Sequence, residues 1–128
     1  AVIAGIPPAD MAAMFDRHLP ARLRGRPEYA ALVARVDELQ RVVSPLSYVP
    51  HVARRRRFIY AGTSDHLVDS YQQARALWSH WDRPRIQWFP GSHVGFLWSP
   101  AVQAFVREAL VETELVPEDV GAPWVQGG

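Results

Sequence analysis

Cysteine, lysine and asparagine are all absent from these 128 residues. The lack of cysteine excludes a disulfide framework, a thiolate nucleophile and cysteine-ligated zinc. The lack of lysine makes all 14 positive charges arginine, a bias of the kind GC-rich coding produces. A marked excess of either charge is missing too: the net charge is +1, so long-range attraction to nucleic acid is weak. No apolar run approaches the roughly 18 residues of a membrane helix. The opening AVIAGIPP carries no basic region and does not read as a secretory signal, so a cytoplasmic location is expected. There is also no initiator Met. The chain opens directly on a strand-like run, and a piece of a longer protein is expected.

What is present fits a globular α/β domain. Hydrophobic residues make up 48% and charged residues 21% of the chain, enough for a core in one domain. Ala1–Ile6 is a continuous apolar run stopped by Gly5 and Pro7-Pro8, the pattern of a buried parallel strand. A helix is expected at about Ala9–His18, with Met11, Met14 and Phe15 on one face. An arginine-rich connection runs from Pro20 to Pro27. Glu28–Val43 repeats Tyr29, Leu32, Val33, Val36, Leu39 and Val43 at helical spacing. After a loop at 46–55, Phe58–Ala61 reads as the second strand. Asp69 with Gln72 three residues on fits a capping box. The helix it opens runs to about Trp81, with Tyr71, Ala74, Leu77, Trp78 and Trp81 inward. Arg85–Phe89 is the third strand. Ser99-Pro100 then caps a last helix, 101–112, with Val102, Phe105, Val106 and Ala109 on its apolar stripe.

The alternation predicts a three-stranded parallel sheet with flanking helices. Residues 1–114 form the domain and 115–128 a Pro/Gly-rich tail that Trp124 could pin. Three parallel strands make a thin sheet with an exposed apolar edge, so the pattern looks like one end of a larger sheet. In such sheets functional groups gather at the carboxyl ends of strands. Asp65 in GTSDHLV follows the second strand and His93 in GSHVGF follows the third. Neighbouring strands lie about 4.8 Å apart, so an aspartate in one loop could orient an imidazole in the next, leaving its other nitrogen as a general base. Taken singly, each is as readily a turn residue.

The pattern G-x-x-D-x-L-V, then strand–helix–strand, then G-x-H-x-G-F resembles the C-terminal part of the α/β-hydrolase fold. The resemblance covers roughly residues 1–112. It implies that Ala1–Ile6 is the sixth strand and that residues 8–55 are helices or a lid region. It makes Asp65 the acid and His93 the histidine of a Ser-His-Asp triad, and the last helix the closing one. The nucleophile elbow G-x-S-x-G of that family is not in this sequence, nor is the loop that contributes to the oxyanion hole. Ser64 and Ser92 sit next to the triad candidates but not on a strand–elbow–helix turn. The expected activity is acyl transfer to water on an ester-like small-molecule substrate, without a cofactor. This chain alone would be inactive, its partner being the missing N-terminal half of the fold.

Other features support blander readings. The run Arg54–Arg57 lies at the amino end of the second strand, opposite the site, and reads as a solvated patch; no nucleic-acid signature accompanies it. His66, with His51 or His93, lacks metal-ligand spacing, so no metal is expected. Trp78, Trp81 and Trp88 read as core. Trp98, Met11 and Phe15 are candidates to line a substrate pocket. The competing class is a non-catalytic α/β domain that binds a partner or small molecule, with Asp65 and His93 as turn residues.

Overall fold

Three apolar runs become the strands β1 (Val2–Gly5), β2 (Arg57–Gly62) and β3 (Arg85–Phe89). In the computed structural model, which describes residues 1–64 and 69–118, they form one parallel sheet in the order β1-β2-β3. Ile3 lies beside Phe58, and Ile59 beside Ile86. Helix α4 (Ser70–His80) joins β2 to β3, and α5 (Pro100–Glu112) follows β3.

A strand's alternating side chains supply both faces of this sheet. Ile59 and Ala61 meet Ala74, Leu77 and Trp81 of the α4 side, while Phe58 meets Phe105 and Ala109 of α5. Phe89 packs with Ile6 and Val102 on the α5 side. The result is three layers, with α4 and α5 on opposite faces. Phe58, Ile59, Leu77 and Phe89 are essentially solvent-free, and burying each such side chain contributes about 1.5–3 kcal/mol. Phe58 and Phe105 meet edge to face at 6.1 Å, the geometry the ring quadrupoles favour.

The helix starts follow capping chemistry. The carboxylate of Asp69 accepts from the Gln72 amide, and the Ser99 hydroxyl accepts from the Val102 amide, with Pro100 in the first turn of α5. Asp10 caps α1 (Met11–His18) by accepting from the Ala13 amide at 2.9 Å. Some expected boundaries move. A short helix, α2 (Ala21–Arg24), interrupts the Pro20–Pro27 connection, and α3 (Glu28–Gln40) stops before Val43. Two single turns, Pro45–Ser47 and Arg54–Arg56, occupy the expected loop.

The excursion α1–α3 departs most from expectation. No residue of these three helices is buried, and Leu39 and Val43 are exposed by 59% and 67%. Periodicity places residues on one face of a helix but does not say what that face meets. Here α1 packs on α3, and polar tethers hold the pair to the sheet layers. The Gln73 carboxamide accepts from the Asp10 amide at 2.6 Å and donates to its carbonyl at 3.0 Å. The Ser44 hydroxyl donates to the Ala9 carbonyl. Tyr71, expected inward on α4, is also exposed. At the other end, the buried Thr113 closes α5 by donating to the Ala109 carbonyl. Trp124 and most of the tail lie outside the described residues.

Candidate functional site

Strands β2 and β3 run out at the same end of the sheet, and the chain stays paired beyond them. The Thr63 amide donates to the Phe89 carbonyl at 2.9 Å and the Ser64 amide to the Gly91 carbonyl at 3.1 Å. The loops after the two strands are therefore held side by side for at least two residues past the ladder. Glycine makes this possible through space and not through unusual dihedrals. Among the described residues no glycine has positive φ, but a Cβ on Gly62 would stand 2.4 Å from the Gly91 carbonyl oxygen, and one on Gly91 would stand 2.7 Å from the Phe89 ring. The role of Gly62 here is to admit the close approach of the neighbouring backbone.

His93 sits four residues after β3, in an exposed loop closed by the Gly95 amide donating to the Ser92 carbonyl at 3.0 Å. Asp65 and His66 lie outside the described residues, and with them the expected Asp65–His93 pair. Ser64 and Ser92 are both exposed and neither stands on a strand-to-helix elbow. Among the described residues no group of three or more His, Cys, Asp or Glu could hold a metal ion.

Two clefts flank the loop end of the sheet. An apolar one of about 330 Å³ is lined by Tyr60, Phe96, Leu97, Val102, Gln103 and Val106. Tyr60 packs its ring against Phe96 at 5.8 Å, and burial raises its phenol pKa above the usual value of 10.0. The second, of about 290 Å³, lies between α1 and the start of α4. It is polar, and an Arg17–Asp69 ion pair crosses it. Of the expected pocket residues, Trp98 is 74% exposed and lines neither cleft. Met11 and Phe15 line neither as well, whereas Met14 packs beside Ile6 and Phe89.

Ile6, at the carboxyl end of β1, has φ of 47° although it is β-branched and precedes proline. That conformation costs on the order of 1–3 kcal/mol. It is held by burial against Phe89 and Val102 and by its amide donating to the Tyr60 carbonyl at 2.9 Å. Nothing in GIPP announced it beyond the end of a strand.

The opposite end of the sheet corrects a second expectation. Arg57 is not part of a solvated patch: its side chain is only 8% exposed. Its guanidinium donates to the carbonyls of Val52, Trp81 and Pro50 and to the Asp82 carboxylate. Three neighbouring arginines gave no sign that the fourth is a buried clamp. The cue available was its place at the first position of a buried strand. Gln73 was missed for a similar reason, since its partner Asp10 is 63 residues away.

No family model matches the chain, and no solved structure matches it. Over 114 residues, 89% of its length, it is 40% identical to two uncharacterized proteins of Mycobacterium tuberculosis, one from each of two strains. The chain spans 27% of the length of each of these relatives, about a quarter. What is established is a three-stranded parallel sheet flanked by helices, with no described helix long and apolar enough to cross a membrane.

Proposed function

We propose that the chain is the C-terminal portion of an α/β-hydrolase-like serine hydrolase. The observation that carries this reading is the pairing of Thr63 and Ser64 with Phe89 and Gly91. It runs the segment entering Asp65 alongside the segment entering His93 at the carboxyl ends of adjacent parallel strands, where such sheets gather their chemistry.

In this mechanism a serine from the remainder of a longer polypeptide attacks the ester carbonyl carbon. His93 takes the hydroxyl proton as the Ser–C bond forms, and Asp65 holds the imidazole and stabilises its charged form. The proton then passes to the departing alkoxide. Water, deprotonated by His93, releases the acid and restores the serine. The apolar cleft behind Phe96 and Leu97, whose lining carries no charge, suits an uncharged acyl or alcohol group.

The test is fluorophosphonate labelling of the polypeptide made from the intact gene, with His93→Ala beside it. Labelling of the parent and a fall of at least about 1,000-fold in the variant are expected. Equal labelling of both would remove His93 from the mechanism. No labelling of the parent would favour the non-catalytic binding domain.

A further inference from the structure

The longest run of one charge in the chain, Arg54–Arg57, leads into β2 at the end of the sheet away from the candidate site. Its last member is the buried clamp, but Arg54 and Arg55 are exposed, and so is Arg83. The Arg54 guanidinium donates to the Arg83 carbonyl at 3.3 Å. The Arg83 guanidinium in turn lies over the Trp78 ring of α4, 5.6 Å from its centroid. These cations therefore share the α4 side of the strands' amino end. Among the described residues none of the three makes an ion pair, and the carboxylates nearby are engaged elsewhere. Asp82 answers Arg57, while Asp37 and Glu38 answer Arg41 and Arg35. Glu108 and Glu112 pair with Arg85 from α5, the opposite layer.

Apolar side chains stand beside these arginines. Val49 is 78% exposed, and Tyr48 and Val42 are exposed as well. The backbone that carries them is fixed by its neighbours. The His80 ring donates to the Tyr48 carbonyl at 2.8 Å, and the Tyr48 hydroxyl donates to the Val42 carbonyl at 2.7 Å. The Arg57 guanidinium holds the carbonyls of Pro50 and Val52. The clamp at the start of β2 thus also presents Val49 to solvent, between the turn after α3 and the exposed arginines. A merely solvated patch accounts for the arginines and not for the valines. A nucleic acid offers phosphates but no apolar phase for aliphatic side chains. An anionic lipid surface offers both: phosphates that suit the guanidinium fork, and an acyl boundary just beneath them.

We infer that this end of the domain is a peripheral contact for an anionic lipid surface. Arg54, Arg55 and Arg83 meet lipid phosphates, while Val42, Tyr48 and Val49 enter the acyl boundary. The candidate site, at the opposite end of the strands, then faces water. The contact is a tether and not an entrance to that site, and it needs no triad.

The test is co-sedimentation of the polypeptide made from the intact gene with vesicles of phosphatidylglycerol and phosphatidylcholine in equal parts, beside vesicles of phosphatidylcholine alone. Binding to the anionic vesicles only is expected, weakening as salt rises. Arg54→Gln with Arg55→Gln is expected to lower the partition coefficient roughly 25-fold, about fivefold per arginine. Val42→Ser with Val49→Ser is expected to lower it at least about tenfold. All four side chains are exposed, so both variants should keep the parent's urea midpoint. If a double variant loses it, Arg55→Gln and Val49→Ser singly read the same two contributions. Absence of binding to the anionic vesicles overturns the inference, and it is the result expected if the rest of the polypeptide covers this end. Vesicle binding that ignores either pair of changes overturns it as well. So does binding of double-stranded DNA in place of vesicles, undiminished by the valine changes, which would assign the arginines to nucleic acid. Fluorophosphonate labelling reads the chemistry separately, so failure of one reading leaves the other standing.

Discussion

Removing the Arg57 guanidinium should unfold this domain more readily than removing any exposed arginine. The group makes four hydrogen bonds: to Trp81 at 2.8 Å, to Pro50 and Asp82 at 3.2 Å each, and to Val52. Three acceptors are neutral carbonyls, and the one anion, Asp82, has a side chain 74% exposed. Hydrogen bonds from a charged group contribute about 1.5–3 kcal/mol each, or roughly 6–12 kcal/mol gross. Desolvating the guanidinium offsets several kcal/mol of that. Truncation also strands carbonyls at about 1–3 kcal/mol each where water cannot reach. The net loss for Arg57→Ala is then about 3–5 kcal/mol, in line with breaking other buried charged networks. Against a total of about 5–15 kcal/mol for a domain, that is a large share. Urea unfolding followed by tryptophan fluorescence measures it directly. Arg57→Lys keeps the charge but not the fork and should fall between parent and Ala. Asp82→Asn, which removes only the exposed anion and tolerates the positive φ of that position, should cost under about 0.5 kcal/mol. A loss below about 1 kcal/mol for Arg57→Ala, or a larger one for Asp82→Asn, would refute the reasoning.

Gly62→Ala should drive a methyl into the Gly91 carbonyl, 2.4 Å from the new atom, and destabilise by about 1–3 kcal/mol; calorimetry that finds no change would mean the two loops separate freely. Tyr60 should make stability fall at alkaline pH. Its folded-state pKa is raised by burial from 10.0, so its contribution is complete below pH 10 and drains away as pH climbs through the higher folded value. Tyr60→Phe keeps the ring and should flatten that fall in pH-dependent melting curves. Gln73→Ala cuts both bonds to Asp10, and exchange of amides in α1 should speed up well before those of β2; uniform acceleration would show that the tether belongs to the global fold. Phe58→Ala, at a site 1% exposed, should cost about 3–5 kcal/mol in the same urea assay.

The sheet was legible because its signals are local. Arg85–Phe89 is a strand between Pro84 and a Gly-containing loop, and Ser99-Pro100 and Asp69 each announce a helix through bonds that span three residues. The apolar stripe of α3 was equally visible, but its destination was not. Leu39 and Val43 face solvent because α3 meets α1 and no layer of the described residues lies beyond it. The candidate site divides in the same way. Placement of Asp65 and His93 after successive strands follows from the alternation of elements. The side-by-side course of their loops depends on Gly62 admitting the Gly91 carbonyl, a fit between residues 29 positions apart (62 to 91).

By itself the sequence determined the three strands, their parallel arrangement and the helices α1, α3, α4 and α5, since propensity, capping and alternation act over a few residues. Only the tertiary structure decided that Arg57 is buried while Arg54 and Arg55 are not, that Gln73 binds Asp10, and that Ile6 is held at positive φ. Each of those depends on a partner brought close by the fold. The energy of a buried polar group or a strained dihedral is set by what surrounds it, and the surroundings come from elsewhere in the chain.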